Sequence, residues 1–94
     1  MDEFEVRRLC PGDLGLMRDM LRVFGEAFDE VETFSKRKPG DEYLQRLLGK
    51  PGFVALAAVE RGEIIGGLAA YELEKFEQER SEYYIYDLAV GEDR

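Results

Sequence analysis

The succession of hydrophobic periods along this chain of 94 residues predicts an α+β fold. A helical period follows one short alternating stretch, three β-type runs fill the second half, and Pro, Gly or Asp marks each change of period. Helices gathered ahead of the strands, rather than alternating with them, belong on one or both faces of an antiparallel meander. The expected order is β-α-α-β-β-β, in one domain over residues 1–94, near the lower size limit for a core that needs no cross-link.

Phe4-Glu5-Val6-Arg7-Arg8-Leu9 alternates as a strand with one wet face does. Cys10-Pro11-Gly12-Asp13 stops it, and Asp13 suits the N-cap of a helix over 13–27. Leu14, Met17, Leu21, Phe24 and Phe28 form one stripe of that helix, widened by Met20, Val23 and Ala27. Residues 29–38 lack a period and read as a loop, with Asp29, Glu30 and Glu32 ahead of Lys36, Arg37 and Lys38. Asp41 suits the cap of a second helix that buries Tyr43, Leu44, Leu47 and Leu48 and ends at Gly49 as its C′ residue.

Phe53 to Val59 is continuously apolar, as a strand buried on both faces would be. Glu60-Arg61-Gly62-Glu63 is a tight turn, with Gly62 free to take positive φ. Ile64 to Tyr71 returns as the antiparallel partner. Gly66-Gly67 inside that strand fits either a bulge or the close approach of a ligand. Acidic residues then crowd positions 72–82.

The last run, Tyr83-Tyr84-Ile85-Tyr86-Asp87-Leu88-Ala89-Val90, is the densest β-forming stretch, and Asp87 sits inside it. Two placements satisfy the pattern. In a central strand, a charged residue is kept only where it is paired, wet or chemically required. In an edge strand, Asp87 would simply face solvent. Alternation puts Tyr84 and Tyr86 on the face opposite Asp87, where core packing is expected.

The composition removes several classes of function. There is no histidine, which excludes Ser-His-Asp and Cys-His centres and histidine-based metal sites. Cys10 is the single cysteine, so no internal disulfide can form and a reducing compartment is implied. The net charge of −8 argues against binding a phosphate backbone and fits a cationic partner, although surplus carboxylates also serve solubility alone. The N-terminus lacks the features of a secretion signal, and no apolar run approaches the roughly 20 residues of a membrane span. A cytoplasmic protein is expected.

The strand order ending in Tyr-Asp-Leu-Ala-Val resembles the N-terminal half of a GNAT-superfamily acetyltransferase. The likeness extends through Phe28-Asp29-Glu30-Val31, Tyr43-Leu44, residues 53–58, residues 67–71 and Lys75-Phe76-Glu77-Gln78-Glu79-Arg80-Ser81-Glu82. Together these stretches resemble the type I aminoglycoside 3-N-acetyltransferases, the gentamicin-resistance enzymes. The resemblance implies acetyl transfer from acetyl-CoA to the 3-amino group of an aminoglycoside. It places Asp87 beside the acceptor amine, as the group that recognises and deprotonates it. It places Leu88, Ala89 and Val90 where strand backbone holds the pantetheine arm and polarises the thioester. Asp29, Glu30, Glu32, Glu79 and Glu82 become candidate carboxylates for a polycationic substrate.

The resemblance breaks off at Gly91-Glu92-Asp93-Arg94, before the Arg/Gln-x-x-Gly-x-Gly/Ala loop that holds the CoA pyrophosphate in that superfamily. The chain is therefore expected to be a partial GNAT domain that is inactive alone, binds acetyl-CoA weakly, and self-associates as a homodimer or strand-exchanged oligomer. Two other readings remain open: a non-catalytic acidic module for a cationic ligand or partner, and an interaction domain whose acidity only solvates it.

Overall fold

A computed structural model describes residues 4–30 and 38–91. Strand β1 (Glu5–Arg8) leads through a short 3-10 turn (Pro11–Asp13) into helix α1 (Leu14–Ala27). Helix α2 (Asp41–Leu48) precedes β2 (Phe53–Glu60), β3 (Glu63–Glu74) and β4 (Ser81–Val90). The expected α+β order is the observed one. The strands form one antiparallel sheet in sequence order, so among the described residues β1 and β4 are its edges.

Helix α1 lies on the sheet through Met17, Met20, Val23 and Phe24, all buried at helical spacing. Leu44 and Leu48 of α2 and Phe53, Ala55, Ala57 and Val59 of β2 complete the core. The α1 stripe is narrower than the sequence implies, because Ala27 and Phe28 are exposed, and Tyr43 on the expected buried side of α2 is exposed as well. The Arg18 guanidinium of α1 donates to Pro39 O at 2.9 Å and pairs with Asp41, which ties the start of α2 to α1. Asp41 is therefore the first helical residue rather than the cap; Gly40 holds that position. Gly49 ends α2 with φ −87°, a right-handed C-cap and not a left-handed C′ residue.

Asp13 precedes α1 but does not cap it through its side chain. Its buried carboxylate turns back, accepting from the Cys10 N–H at 2.9 Å, the Cys10 thiol at 3.1 Å and Arg7 Nη2 at 2.8 Å. The Cys10 N–H bond, then the thiol bond and the Arg7 charge, hold its pKa below 3.8 against the opposing effect of burial. A group whose pKa is lowered by folding stabilises the fold above its unfolded value, and that contribution is lost as pH falls through the folded value. Asp13→Asn is expected to lower stability at neutral pH by about 1–2 kcal/mol. Thermal melts should show the gap closing well below pH 3.8, where both residues are neutral.

Hairpin β2–β3 closes with Arg61 and Gly62 at φ 52° and 80°, the primed two-residue turn that matches strand twist. The glycine pair in β3 has two causes. A Cβ on Gly67 would stand 2.5 Å from Met20 Sδ, and one on Gly66 would stand 3.0 Å from Ala89 O. Gly67 lets α1 settle on the sheet, and Gly66 admits the backbone of β4. The register also slips between Ala58 and Val59 opposite this region.

β2 corrects the expectation of burial on both faces. Phe53, Ala55, Ala57 and Val59 are buried under the helices, whereas Val54, Leu56 and Ala58 are only partly covered. The far side of the sheet continues through exposed Ile85, Leu88 and Val90. An apolar run looks the same in sequence whether or not the described residues cover its second face.

Candidate active site on the fourth strand

β4 pairs with β3 as Ala69↔Asp87 and Ala70↔Ile85, leaving Tyr86 without a ladder partner. That is a β-bulge, one extra residue in the strand. Opposed residues share a face. Asp87 therefore lies on the side of Ala69 and buried Ala55, under the helices, while Ile85 lies on the open side with Ala70 and Val54. The strand changes parity at the bulge.

The slip corrects the placement of two tyrosines. Tyr84 pairs with Tyr71, which pairs with Phe53, so it shares the helix face with Asp87. Tyr86 meets Tyr71 edge-on at 5.9 Å between centroids. Both are exposed and neither belongs to the core. Asp87 itself combines features of the two placements, standing in an edge strand yet partly buried toward the helices.

Burial, then the nearby negative charge of Glu30, push the Asp87 carboxyl above its usual value. Among the described residues no guanidinium or ammonium is paired with it. Tyr71 is also pushed up, first by burial and then by Tyr43, Tyr86 and Asp87. Tyr86 thus stands beside Asp87 in the strand and meets Tyr71 edge-on, while Glu30 bears electrostatically on Asp87 and Tyr43 on Tyr71. An uncompensated pair of carboxylates beside polar aromatics can attract an amine and accept its proton.

Glu30 comes to bear on Asp87 through the way α1 ends. The N–H groups of Asp29 and Glu30 donate to Glu26 O at 3.3 Å and Gly25 O at 2.7 Å, the paired bonds of a Schellman motif. Asp29 takes the left-handed C′ position, φ 55°, where glycine is unstrained. Asp29→Gly is expected to stabilise the chain by about 0.5–1 kcal/mol. Chemical denaturation would check this; a loss of stability would mean that the Asp29 side chain does more than tolerate its backbone.

The remaining acidic candidates are not brought together with Asp87. Glu82 pairs with Arg80 at 3.0 Å and Lys75 at 4.0 Å, which offsets its charge. It lies five residues before Asp87, roughly 15 Å along the strand, and exposed Glu79 lies farther still in the β3–β4 connection. Glu32 is outside the described residues.

Leu88, Ala89 and Val90 follow the bulge with different backbone roles. Gly91 N–H donates to Ile65 O at 2.8 Å, and Ala89 O lies against Gly66. Ladder alternation then turns the main chain of Ala89 toward β3 and those of Leu88 and Val90 toward the open edge. Two of the three expected backbone positions can meet a ligand there.

Solved structures share this fold. An aminoglycoside acetyltransferase from an uncultured soil metagenomic sample is 55% identical over 97% of this chain, with TM-score 0.94. A second one of like origin, solved with sisomicin, is 34% identical over 96% of the chain, with TM-score 0.85. A GNAT family acetyltransferase of Staphylococcus aureus superposes over 99% of the chain with TM-score 0.71 at 10% identity. The fold is that of a GNAT acetyltransferase. The chain spans 60%, 57% and 65% of those three GNAT and aminoglycoside acetyltransferase chains, respectively. No protein-family model and no curated protein matches it. No helix among the described residues is long and apolar enough to cross a membrane.

The Tyr-Asp-Leu-Ala-Val run pointed to Asp87 and the backbone after it as candidates within this fold. It did not point to Tyr43, Tyr71 or Tyr86. The signal that could have found the last of them was the odd spacing between a charged residue meant to face inward and the tyrosines before it.

Proposed function

We propose that this chain carries the amine-recognising part of an enzyme that transfers acetyl from acetyl-CoA to the 3-amino group of an aminoglycoside such as gentamicin. The observation that carries the reading is Asp87, a half-buried carboxylate beside a strand bulge, without a cationic partner among the described residues and next to Glu30. The similarity to aminoglycoside acetyltransferases, one of them solved with sisomicin, supports the substrate class.

Acetyl-CoA supplies the acetyl group already activated as a thioester. Asp87 and Glu30 attract the substrate ammonium, with Asp29 adding charge at the end of α1. Asp87 accepts the proton that the amine must lose before it can attack, directly or through water. Its raised pKa makes it a stronger base than an ordinary aspartate. The outward main-chain groups of Leu88 and Val90 suit the amides of an extended cofactor arm, as an added strand would pair. An N–H aimed at the thioester oxygen would stabilise the charge it gains.

Calorimetry with sisomicin and with acetyl-CoA, on a chain extended to the length of the solved relatives, tests the proposal, together with release of the CoA thiol when both are present. Binding of the aminoglycoside alone would favour the acidic binding module instead. Binding of neither would reject the reading. The exposed apolar side of β4 and its open edge also support self-association, which sedimentation velocity would show as a concentration-dependent rise above the monomer.

A further inference from the structure

Three aromatic rings run outward beside the acid. Phe53 is 4% exposed and meets Tyr71 at 5.3 Å; Tyr71 is 38% exposed and meets Tyr86 at 5.9 Å; Tyr86 is 68% exposed. The row is anchored in the core at one end and open at the other. Tyr86 owes its place to the bulge, which leaves it outside the ladder and immediately before Asp87. Tyr43 of α2 carries the Arg46 guanidinium over its own ring at 5.5 Å, so its face is already taken by a cation.

A cross-strand aromatic pair can be purely structural. Two features go beyond that role. The outer ring covers no core residue, and the row stands beside carboxylates that have no described cationic partner. A ring face adjoining an anionic group is a favourable seat for an ammonium, and the same face accepts the C–H side of a sugar ring. We propose that Tyr71 and Tyr86 form an aromatic wall that receives an ammonium-bearing sugar ring of the substrate, which makes Tyr86 a specificity-determining residue. This rests on the reading of Asp87 as the amine-binding acid and extends it to the residues that orient the rest of the sugar.

Calorimetric titration of the whole chain with the same aminoglycoside tests the wall. Tyr86→Leu is expected to weaken binding about 3- to 30-fold, the range for a cation on an aromatic face. Tyr86→Phe should restore affinity to within about twofold, because the ring and not the hydroxyl makes the contact. A merely structural tyrosine would lower the melting temperature without this pattern in affinity. Tyrosine emission supplies a second readout on the unaltered protein, which has five tyrosines and no tryptophan. Saturating ligand should change it. Wild-type affinity in Tyr86→Leu alongside weakened binding in Asp87→Asn would overturn the wall and leave the acid in place. Equal losses in Tyr86→Leu and Tyr86→Phe, or unchanged emission at saturation, would also overturn it. Absence of binding by the unaltered protein would overturn both readings.

Discussion

Under the proposed function, Asp87→Asn is expected to lower acetyl transfer about 10²–10⁴-fold in a chain extended to the length of the solved relatives, while making the folded chain more stable at neutral pH. The two effects have one cause. The fold places a carboxylate where burial and Glu30 both oppose its charge, and asparagine keeps the shape without the charge. Loss of a positioned base lowers a rate by about 10²–10⁴-fold, and CoA thiol release measures it directly. The stability effect follows from the direction of the shift. A carboxyl whose pKa is raised by folding favours the folded state while it is protonated, below its unfolded value of 3.8. That contribution disappears as pH rises through the folded value, so at pH 7 the ionised aspartate is a burden that asparagine lacks. The melting temperatures of the two proteins should differ at pH 7 and converge below pH 3.8. The acidic limb of the rate profile should likewise lie above 3.8. Normal turnover by the variant would remove Asp87 from the chemistry. A variant less stable at pH 7 would mean that an unseen cation neutralises the acid.

The second large effect is expected where α1 meets the sheet. A Cβ on Gly67 would lie 2.5 Å from Met20 Sδ, 2.7 Å from Met20 Cγ and 3.2 Å from the Leu56 carbonyl oxygen. Met20 is 0% exposed, so its side chain has little room to yield. Gly67→Ala should destabilise by about 1–3 kcal/mol through overpacking. Met20→Ala should cost about 2–5 kcal/mol, the range for emptying a buried Met site. The two changes share one space, so together they should cost less than the sum of their separate effects. Denaturant unfolding of the four proteins in a double-mutant cycle measures that coupling. Strict additivity would show that Gly67 is present for a reason other than the helix contact.

How much of this was legible depended on whether the deciding interaction was local. The period of Leu14 to Phe24 specified α1, and the Arg61-Gly62 turn specified its hairpin, because both signals lie within a few residues. Asp13 is an exception: it reads as a cap for the helix that follows, yet Cys10 and Arg7, three and six residues before it, hold its carboxylate instead. The Gly66-Gly67 pair announced a close approach without naming Met20 or Ala89, which come from distant segments. Tyr84 and Tyr86 were misplaced for a sharper reason. Alternation assumes an unbroken period of two, and a single inserted residue reverses every assignment beyond it. The acidic candidates divided in the same way. Glu30 reached Asp87 only through the turn that closes α1, while Glu82 was adjacent in the run yet engaged by Lys75 and Arg80.

The bulge also makes β4 two strands of opposite parity joined at Tyr86. Deleting that one residue would restore a regular ladder, but only by turning one half of the strand over. Either Asp87 would leave the helix side, or Tyr84 would lose its place opposite Tyr71. A length change here is therefore not equivalent to a point substitution, and drift in this segment is constrained by residue number as strictly as by residue type.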